Sequence, residues 1–170
     1  MRHIFIILTI ILNFIGDYAE ATQICLNEVN RTFENTAKEF KDKFNLEFSR
    51  TATDNCHGND ENVKRISLYF NYPKALTQEN ARALLFDVLN LSLEKINQDT
   101  QLQKYLFEHP FKRENLHITI YMPSSIFTMG KCAIMGWDNK AFYYMKNGPS
   151  RTIKEESYNE VLQLIQSNKK

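Results

Sequence analysis

The chain is poor in the residues that break or link regular structure, with only five glycines and four prolines in 170 residues. None of the glycines forms a G-x-G-x-x-G or G-x-x-x-x-G-K pattern, which excludes the two common phosphate-binding loops. No linker rich in Pro, Gly or Ser and no internal repeat divides the sequence. The sequence therefore predicts one domain rather than an array of modules.

Neither sign of charge dominates, because the chain has 21 Lys and Arg residues and 20 Asp and Glu residues. So balanced a composition lacks the excess of basic side chains with which proteins hold nucleic acids or anionic membranes. We therefore expect neither nucleic acid nor membrane as the main partner. A protein or a small molecule is the expected partner.

The only long hydrophobic run lies at the N-terminus. Residues 1–3 include a basic side chain, residues 4–15 (IFIILTIILNFI) are almost entirely apolar, and residues 19–21 (AEA) place small side chains at a cleavage site. That order is typical of a secretory signal peptide, and the run is shorter than the roughly 20 residues of a membrane-spanning helix. We expect residues 1–21 to be removed and residues 22–170 to form one exported domain, periplasmic or secreted. An uncleaved N-terminal anchor is the alternative.

Three cysteines follow this segment, at positions 25, 56 and 132. Export permits disulfides, and an odd number leaves one thiol over. Cys25 and Cys56 lie in polar sequence, whereas Cys132 opens the apolar run CAIM. We expect a Cys25–Cys56 disulfide with Cys132 as a core thiol. A chain with no disulfide is the alternative, because sequence does not fix connectivity.

Apolar residues at intervals of three and four predict amphipathic helices. The first covers about 27–44, on a stripe formed by Val29, Phe33, Ala37, Phe40 and Phe44. Thr77 is a suitable N-cap for a second and longer helix that runs to about Gln98. A short helix is expected over 100–108, and the capping box SYNE at 157–160 opens the last one.

Apolar and polar residues alternate over 63–72 and 115–122, which predicts two strands with one buried face each. A short strand is expected at 46–48, a loop at 51–60, and a pair of strands over 126–136 and 140–146. These elements indicate an α+β domain. We expect a small antiparallel or mixed sheet of three to five strands with amphipathic helices packed on it.

The stretch from Ile66 to Met122 contains the segments LYFNYP at 68–73, YLFEHPF at 105–111 and NLHITIY at 115–121. In this stretch, about a third of the chain, the sequence resembles a family of small uncharacterised exported proteins of intracellular bacteria. The resemblance implies a bacterial source and the same order of elements. It implies no catalytic residue.

No catalytic, cofactor-binding or metal-binding constellation stands out in the sequence. The adjacent pair Cys56-His57 lies in a loop, whereas a nucleophile and its base are recognised by spatial arrangement. Cysteines and histidines lack C-x-x-C and H-x-x-x-H spacing, so neither a metal nor a cofactor is expected. The carboxylate pairs at 60–61 and 155–156 lie in charged sequence and are expected at the surface.

The polar face of the two alternating strands is the candidate binding face, with Tyr69, Asn71, His117, Tyr121 and, from a third strand, Tyr143. Tyrosines are frequent binding anchors because they combine apolar area with a hydrogen-bonding tip. We expect an exported, non-enzymatic binding protein. A small secreted or periplasmic hydrolase, with a site assembled from sequence-distant residues, is the alternative. In a second arrangement the first helix lies across this face and buries the tyrosines.

Overall fold

The computed structural model describes residues 26–54, 62–123, 131–137, 140–147 and 150–167. Helix α1 covers residues 26–44. The elements after it are β1 (Glu47–Asp54), β2 (Arg65–Asn71), α2 (Gln78–Gln98), β3 (Leu116–Pro123), β4 (Lys131–Trp137), β5 (Lys140–Asn147), β6 (Ser150–Ser157) and α3 (Tyr158–Ser167). Single 3-10 turns occupy Leu102–Tyr105 and Arg113–Asn115.

The six strands form one sheet in the order of the chain, from β1 to β6. Strands β2 and β3 run parallel and are connected through α2, while every other neighbouring pair is antiparallel. The α+β class is confirmed, and the sheet is of the mixed kind. It has one strand more than the upper end of the expected range, because β6 (SRTIKEES) carries a single aliphatic residue and gives no alternating signal.

The two helix starts expected from the sequence are confirmed by their caps. The Thr77 hydroxyl accepts a hydrogen bond from the backbone N–H of Asn80 at 3.3 Å, and α2 runs to Gln98. At α3 the Ser157 hydroxyl accepts from the Glu160 N–H at 3.3 Å, and the Glu160 carboxylate accepts from the Ser157 N–H at 2.7 Å. These bonds satisfy backbone donors that a helix start leaves unpaired.

Helix α1 ends in a turn that sends the chain directly into the sheet. Asn45 has a positive φ of 56°, and its N–H bonds to the Lys41 carbonyl at 2.9 Å. The next N–H, that of Leu46, bonds to the Phe40 carbonyl at 3.3 Å, and the Leu46 side chain is fully buried. The bond from the Asn45 N–H to the carbonyl four residues earlier is that of the αL ending of a helix, in which the left-handed position favours Gly or Asn.

Three expectations for local structure are wrong. The first strand was expected at 46–48 but extends over Glu47–Asp54, because residues 51–54 pair with β2 instead of forming a loop. In place of a helix at 100–108, one 3-10 turn precedes Leu106, which forms a parallel bridge with Val63. The rest of the expected loop, Cys56 included, lies outside the described residues.

One face of the sheet is the core. Its fully buried side chains on β2 and β3 are Ile66, Leu68, Phe70, Ile118 and Ile120. Helix α2 lies against β3 and β4 with Leu85, Val88 and Ile96 buried, and Phe86 stacks on Tyr158 of α3 at 5.5 Å between ring centroids. All the described helices therefore lie on the same side of the sheet.

A buried ion pair connects α2 to the last strand. The Arg82 guanidinium donates to both carboxylate oxygens of Glu156, through Nε at 2.8 Å and Nη2 at 2.5 Å, and the Gln78 amide donates to the same carboxylate at 3.0 Å. Glu156 was expected at the surface as part of a carboxylate pair. That expectation is wrong, because β6 turns Glu156 towards α2 while Glu155 stays exposed. None of the helices in the described residues is long and apolar enough to cross a membrane.

Candidate functional site on the polar sheet face

Helix α1 lies on the apolar side of the sheet and not on the tyrosines. The Phe40 ring is 4.9 Å from that of Phe70, and the Phe33 ring is 6.1 Å from that of Phe48. Phe48 and Phe70 are direct register partners on the apolar side. The arrangement in which α1 buries the tyrosines is therefore wrong, and within the described residues no helix lies on the opposite side.

We call the opposite side of β1, β2 and β3 the tyrosine face. By register, its described members include Glu47, Arg50, Ala52, Arg65, Ser67, Tyr69, Asn71, His117, Thr119 and Tyr121. Ser67 and Thr119 are buried among longer neighbours, at 6% and 3% exposure, whereas the two tyrosines and His117 are half-buried and Asn71 is exposed. The four predicted residues on β2 and β3 thus come together on one surface.

Tyr143, the fifth predicted residue, lies on β5, where the side chains of residues 142–147 are outside the described part of the structure. The register pairs position 143 with Ile134 and pairs Ile134 with Ile120, which is fully buried on the helix side. The position in line with Tyr121, through Ala133, is Tyr144. The assignment of Tyr143 to the tyrosine face stays a prediction, and the register alone gives position 144 rather than 143 as the one in line with Tyr121.

Two tyrosine rings and one guanidinium form a row across three strands. The rings of Tyr69 and Tyr121 are nearly parallel, at 12°, with centroids 6.4 Å apart. The Cζ atom of Arg50 lies 4.5 Å from the centre of the Tyr69 ring. A guanidinium over an aromatic ring is attracted by the negative face of the ring and stays oriented there.

A β-bulge brings Arg50 to this face. Phe48 points to the helices, and regular alternation would place residue 50 on the same side. The register shifts between Phe48 and Arg50, so Ser49 is the extra residue and Arg50 becomes the partner of Tyr69. Bulges re-aim a side chain in this way. The sequence interpretation missed Arg50 because no alternation signals the bulge in the segment EFSRTATD.

Ser67 and His117 are the nearest approach to a catalytic pair on this face. The Ser67 hydroxyl lies 3.5 Å from Nδ1 of His117. The hydroxyl belongs to a residue that is only 6% exposed. The neighbouring backbone N–H groups belong to the β1–β2–β3 ladders, so they do not form an oxyanion hole as acyl transfer requires. The arrangement is suited to holding the side chains in place rather than to nucleophilic attack.

Metal binding has no support in the part of the chain that the structure describes, where no group of three metal-ligating side chains occurs. Cys25 and Cys56, the expected disulfide partners, both lie outside the described residues. The side chain of Cys132 is likewise not described.

Comparisons of the chain with family models, with curated proteins and with solved structures each found no match. The resemblance to exported proteins of intracellular bacteria stays a prediction. The geometry of the tyrosine face is accordingly the basis for a functional proposal.

Proposed function

We propose that this chain is an exported, non-enzymatic binding protein and that its partner docks on the tyrosine face. The observation that supports the proposal is the row Arg50–Tyr69–Tyr121 on the side of the sheet that the described helices leave uncovered. Helix α1, the one element whose apolar stripe was a competitor for this face, packs on the other side with Phe33 and Phe40.

Burial along the face favours binding over a purely structural role. The short side chains Ser67 and Thr119 are buried, so the base of the surface is closed to water. The tyrosines above them remain half-buried and keep area available to a partner. Rigid aromatic side chains over a closed base resemble the anchors that carry most of the binding energy in protein interfaces.

Affinity capture tests this proposal. The full chain, immobilised, is exposed to the cell envelope and, separately, to host-cell lysate, and captured species are compared with those of the double variant Tyr69→Ala, Tyr121→Ala. Phe107→Ala is the matched control, because Phe107 is the most exposed large apolar side chain described, at 55%, and lies off the tyrosine face. We expect the double variant to lose the partner and the control to keep it. A partner that binds the double variant as well as the parent chain contradicts the proposal.

Export is part of the proposal and has its own test. The signal-like order of residues 1–21 supports it. Mass spectrometry of the protein from its native host is expected to find an N-terminus within a few residues of Thr22. Recovery of the intact N-terminus on membrane-bound protein contradicts it.

A Cys25–Cys56 disulfide is proposed on the same basis, with support from the neighbouring elements. The Thr51 hydroxyl of β1 bonds to the Asn30 amide oxygen of α1, whereas further along the two elements Phe48 meets Phe33. The two elements therefore run antiparallel, so the first described turn of α1 and the end of β1 lie at the same end of the domain. Non-reducing peptide mapping is expected to find the two cysteines joined. Ready alkylation of Cys56 in the native protein contradicts the bridge.

A further inference from the structure

We infer that the partner of the tyrosine face is an acidic protein segment, and that Arg50 selects it by binding a carboxylate. The inference rests on the proposed function and adds the chemistry of the partner to it. Three observations lead to it: the bulge that turns Arg50 onto this face, the cation–π contact of its guanidinium with Tyr69, and the lack of a carboxylate within ion-pair distance of it among the described residues, where Glu47 is paired with Lys41.

The bulge at Ser49 disrupts strand pairing in order to place an exposed arginine on the tyrosine face. We therefore expect the position of Arg50 to have a role in binding. An extra residue leaves the ladder locally disrupted. In return, the guanidinium enters the row with Tyr69 and Tyr121 instead of meeting the apolar side that Phe48 shares with Phe70. The result is a cation at one end of an aromatic row that crosses β1, β2 and β3.

Among the residues that the structure describes, no side chain occupies the hydrogen-bond donors of Arg50. The Arg50 Cζ atom lies 4.5 Å from the centre of the Tyr69 ring, and this cation–π contact provides no oxygen acceptor for the guanidinium N–H groups. Among the described residues no carboxylate lies within ion-pair distance of Arg50, which is exposed, and the nearby acid on the same face, Glu47, is bound by Lys41 at 2.6 Å. In-plane guanidinium donors match the geometry of a carboxylate, which accepts two parallel hydrogen bonds.

The two tyrosines of the row indicate which kind of group lies next to the carboxylate in the partner. Tyr121 offers a half-buried ring 6.4 Å from that of Tyr69, so an apolar or aromatic group fits beside the charged one. Arginine and tyrosine are two of the residue types that dominate protein interfaces. A protein segment that carries Asp or Glu next to an aromatic side chain therefore complements this surface in both charge and shape.

The probe for this inference is the copolymer poly(Glu,Tyr), compared with poly(Lys,Tyr) and with polygalacturonate, an acidic sugar polymer. Binding to the full chain is measured by NMR titration, which follows the Arg50 Nε–H signal and the rings of Tyr69 and Tyr121. We expect poly(Glu,Tyr) to shift these signals, with affinity that falls as salt is raised, and poly(Lys,Tyr) to leave them unchanged.

Variants at position 50 separate charge from shape. Arg50→Ala is expected to weaken poly(Glu,Tyr) binding about tenfold or more, the size of a lost charged hydrogen bond. Arg50→Lys is expected to keep only part of the parent affinity for poly(Glu,Tyr), because an ammonium group lacks the planar array of donors of a guanidinium. Lys74→Ala, which removes an exposed lysine outside the tyrosine face, is the matched control and is expected to bind like the parent chain. Because Arg50 is exposed, these variants are expected to keep the parent spectrum elsewhere.

The failure of this inference is distinguishable from the failure of the proposed function. If poly(Glu,Tyr) binds equally well to the parent chain and to Arg50→Ala, or if only polygalacturonate binds, the inference of an acidic protein partner is overturned. In either case, Tyr121→Ala still weakens the binding of whichever polymer binds the parent chain, if the tyrosine face is the site. If capture of the natural partner is insensitive to both tyrosines, the proposed function itself is wrong.

Discussion

The two faces of this sheet are built from the same strands but are stabilised differently. On the helix side, Phe70 and Ile118 are fully buried under helices. On the other side, Tyr69 and Thr119 are their immediate neighbours along the chain, and only the small residue is buried. Strand alternation separates the two sets, but the elements that pack on a face decide whether its side chains become core or surface. The comparison predicts large losses of stability on one face and large losses of binding on the other.

The largest effect is expected on the helix-covered face, from Phe70→Ala. This ring contacts Phe40 at 4.9 Å and Phe48 at 5.9 Å between centroids, and no part of the residue is exposed. Truncation removes the buried area and leaves a cavity between α1 and the sheet, with an expected loss of about 3–5 kcal/mol in the free energy of unfolding. Urea denaturation measures this loss.

Phe107→Ala is the control for Phe70→Ala, because the same chemical change at a residue that is 55% exposed is expected to cost well under about 1 kcal/mol. Equal losses in the two variants contradict the assignment of the core face.

The next effect concerns the buried ion pair that holds the far end of the sheet to α2. Arg82→Ala leaves the Glu156 carboxylate buried without its two guanidinium bonds, and breaking such a pair typically costs about 3–5 kcal/mol. We expect a loss near 3 kcal/mol, because the Gln78 amide still donates to Glu156 at 3.0 Å. Thermal unfolding at neutral pH provides the measurement.

Lys140→Ala, on β5, breaks the exposed ion pair with Glu155, the neighbour of Glu156 on β6. It is the matched control for Arg82→Ala, with an expected effect between 0 and about 1 kcal/mol. If the two variants unfold alike, the pair between α2 and β6 does not hold the helices to the sheet.

Some elements of these two faces are predictable from the sequence and others are not. The caps at Thr77 and at Ser157 and the alternation of β2 and β3 are local patterns, and each is confirmed. Strand β6 and the Ser49 bulge depend on the partner strand, so their own residues carry no signal. The tyrosine surface was thus predictable from β2 and β3. The place of Arg50 on that face was not predictable, because it follows from register alone.

A smaller effect, dependent on pH, is expected where α1 is tied to the end of α2. Burial alone would raise the pKa of Asp99, but it is outweighed by hydrogen bonds from the Leu102 N–H, the Thr32 hydroxyl and the Arg31 guanidinium, which leave the pKa lowered. A lowered pKa in the folded state gives stability that is present above the unfolded value of about 4 and is lost as pH falls through the folded value.

Asp99→Asn is therefore expected to cost about 1–2 kcal/mol at pH 7 and to flatten the fall in stability below about pH 4. Urea denaturation at a series of pH values measures both changes. Glu34→Gln, at an exposed position of α1, is the control and is expected to leave the acid limb unchanged. An acid limb that is equally steep in Asp99→Asn and in the parent chain contradicts this role for Asp99.

The smallest loss of stability, with the largest loss of binding, is expected on the tyrosine face. Tyr121→Ala removes a half-buried ring and its contact with Tyr69, and such aromatic pairs contribute about 0.5–1.5 kcal/mol beyond their area. We expect a loss of about 1 kcal/mol in the free energy of unfolding, far below that of Phe70→Ala. Capture of the partner is expected to fall at least tenfold, as it does when a binding anchor is truncated. A loss of several kcal/mol, with capture unchanged in the folded fraction, would place Tyr121 in the core and remove the proposed binding surface.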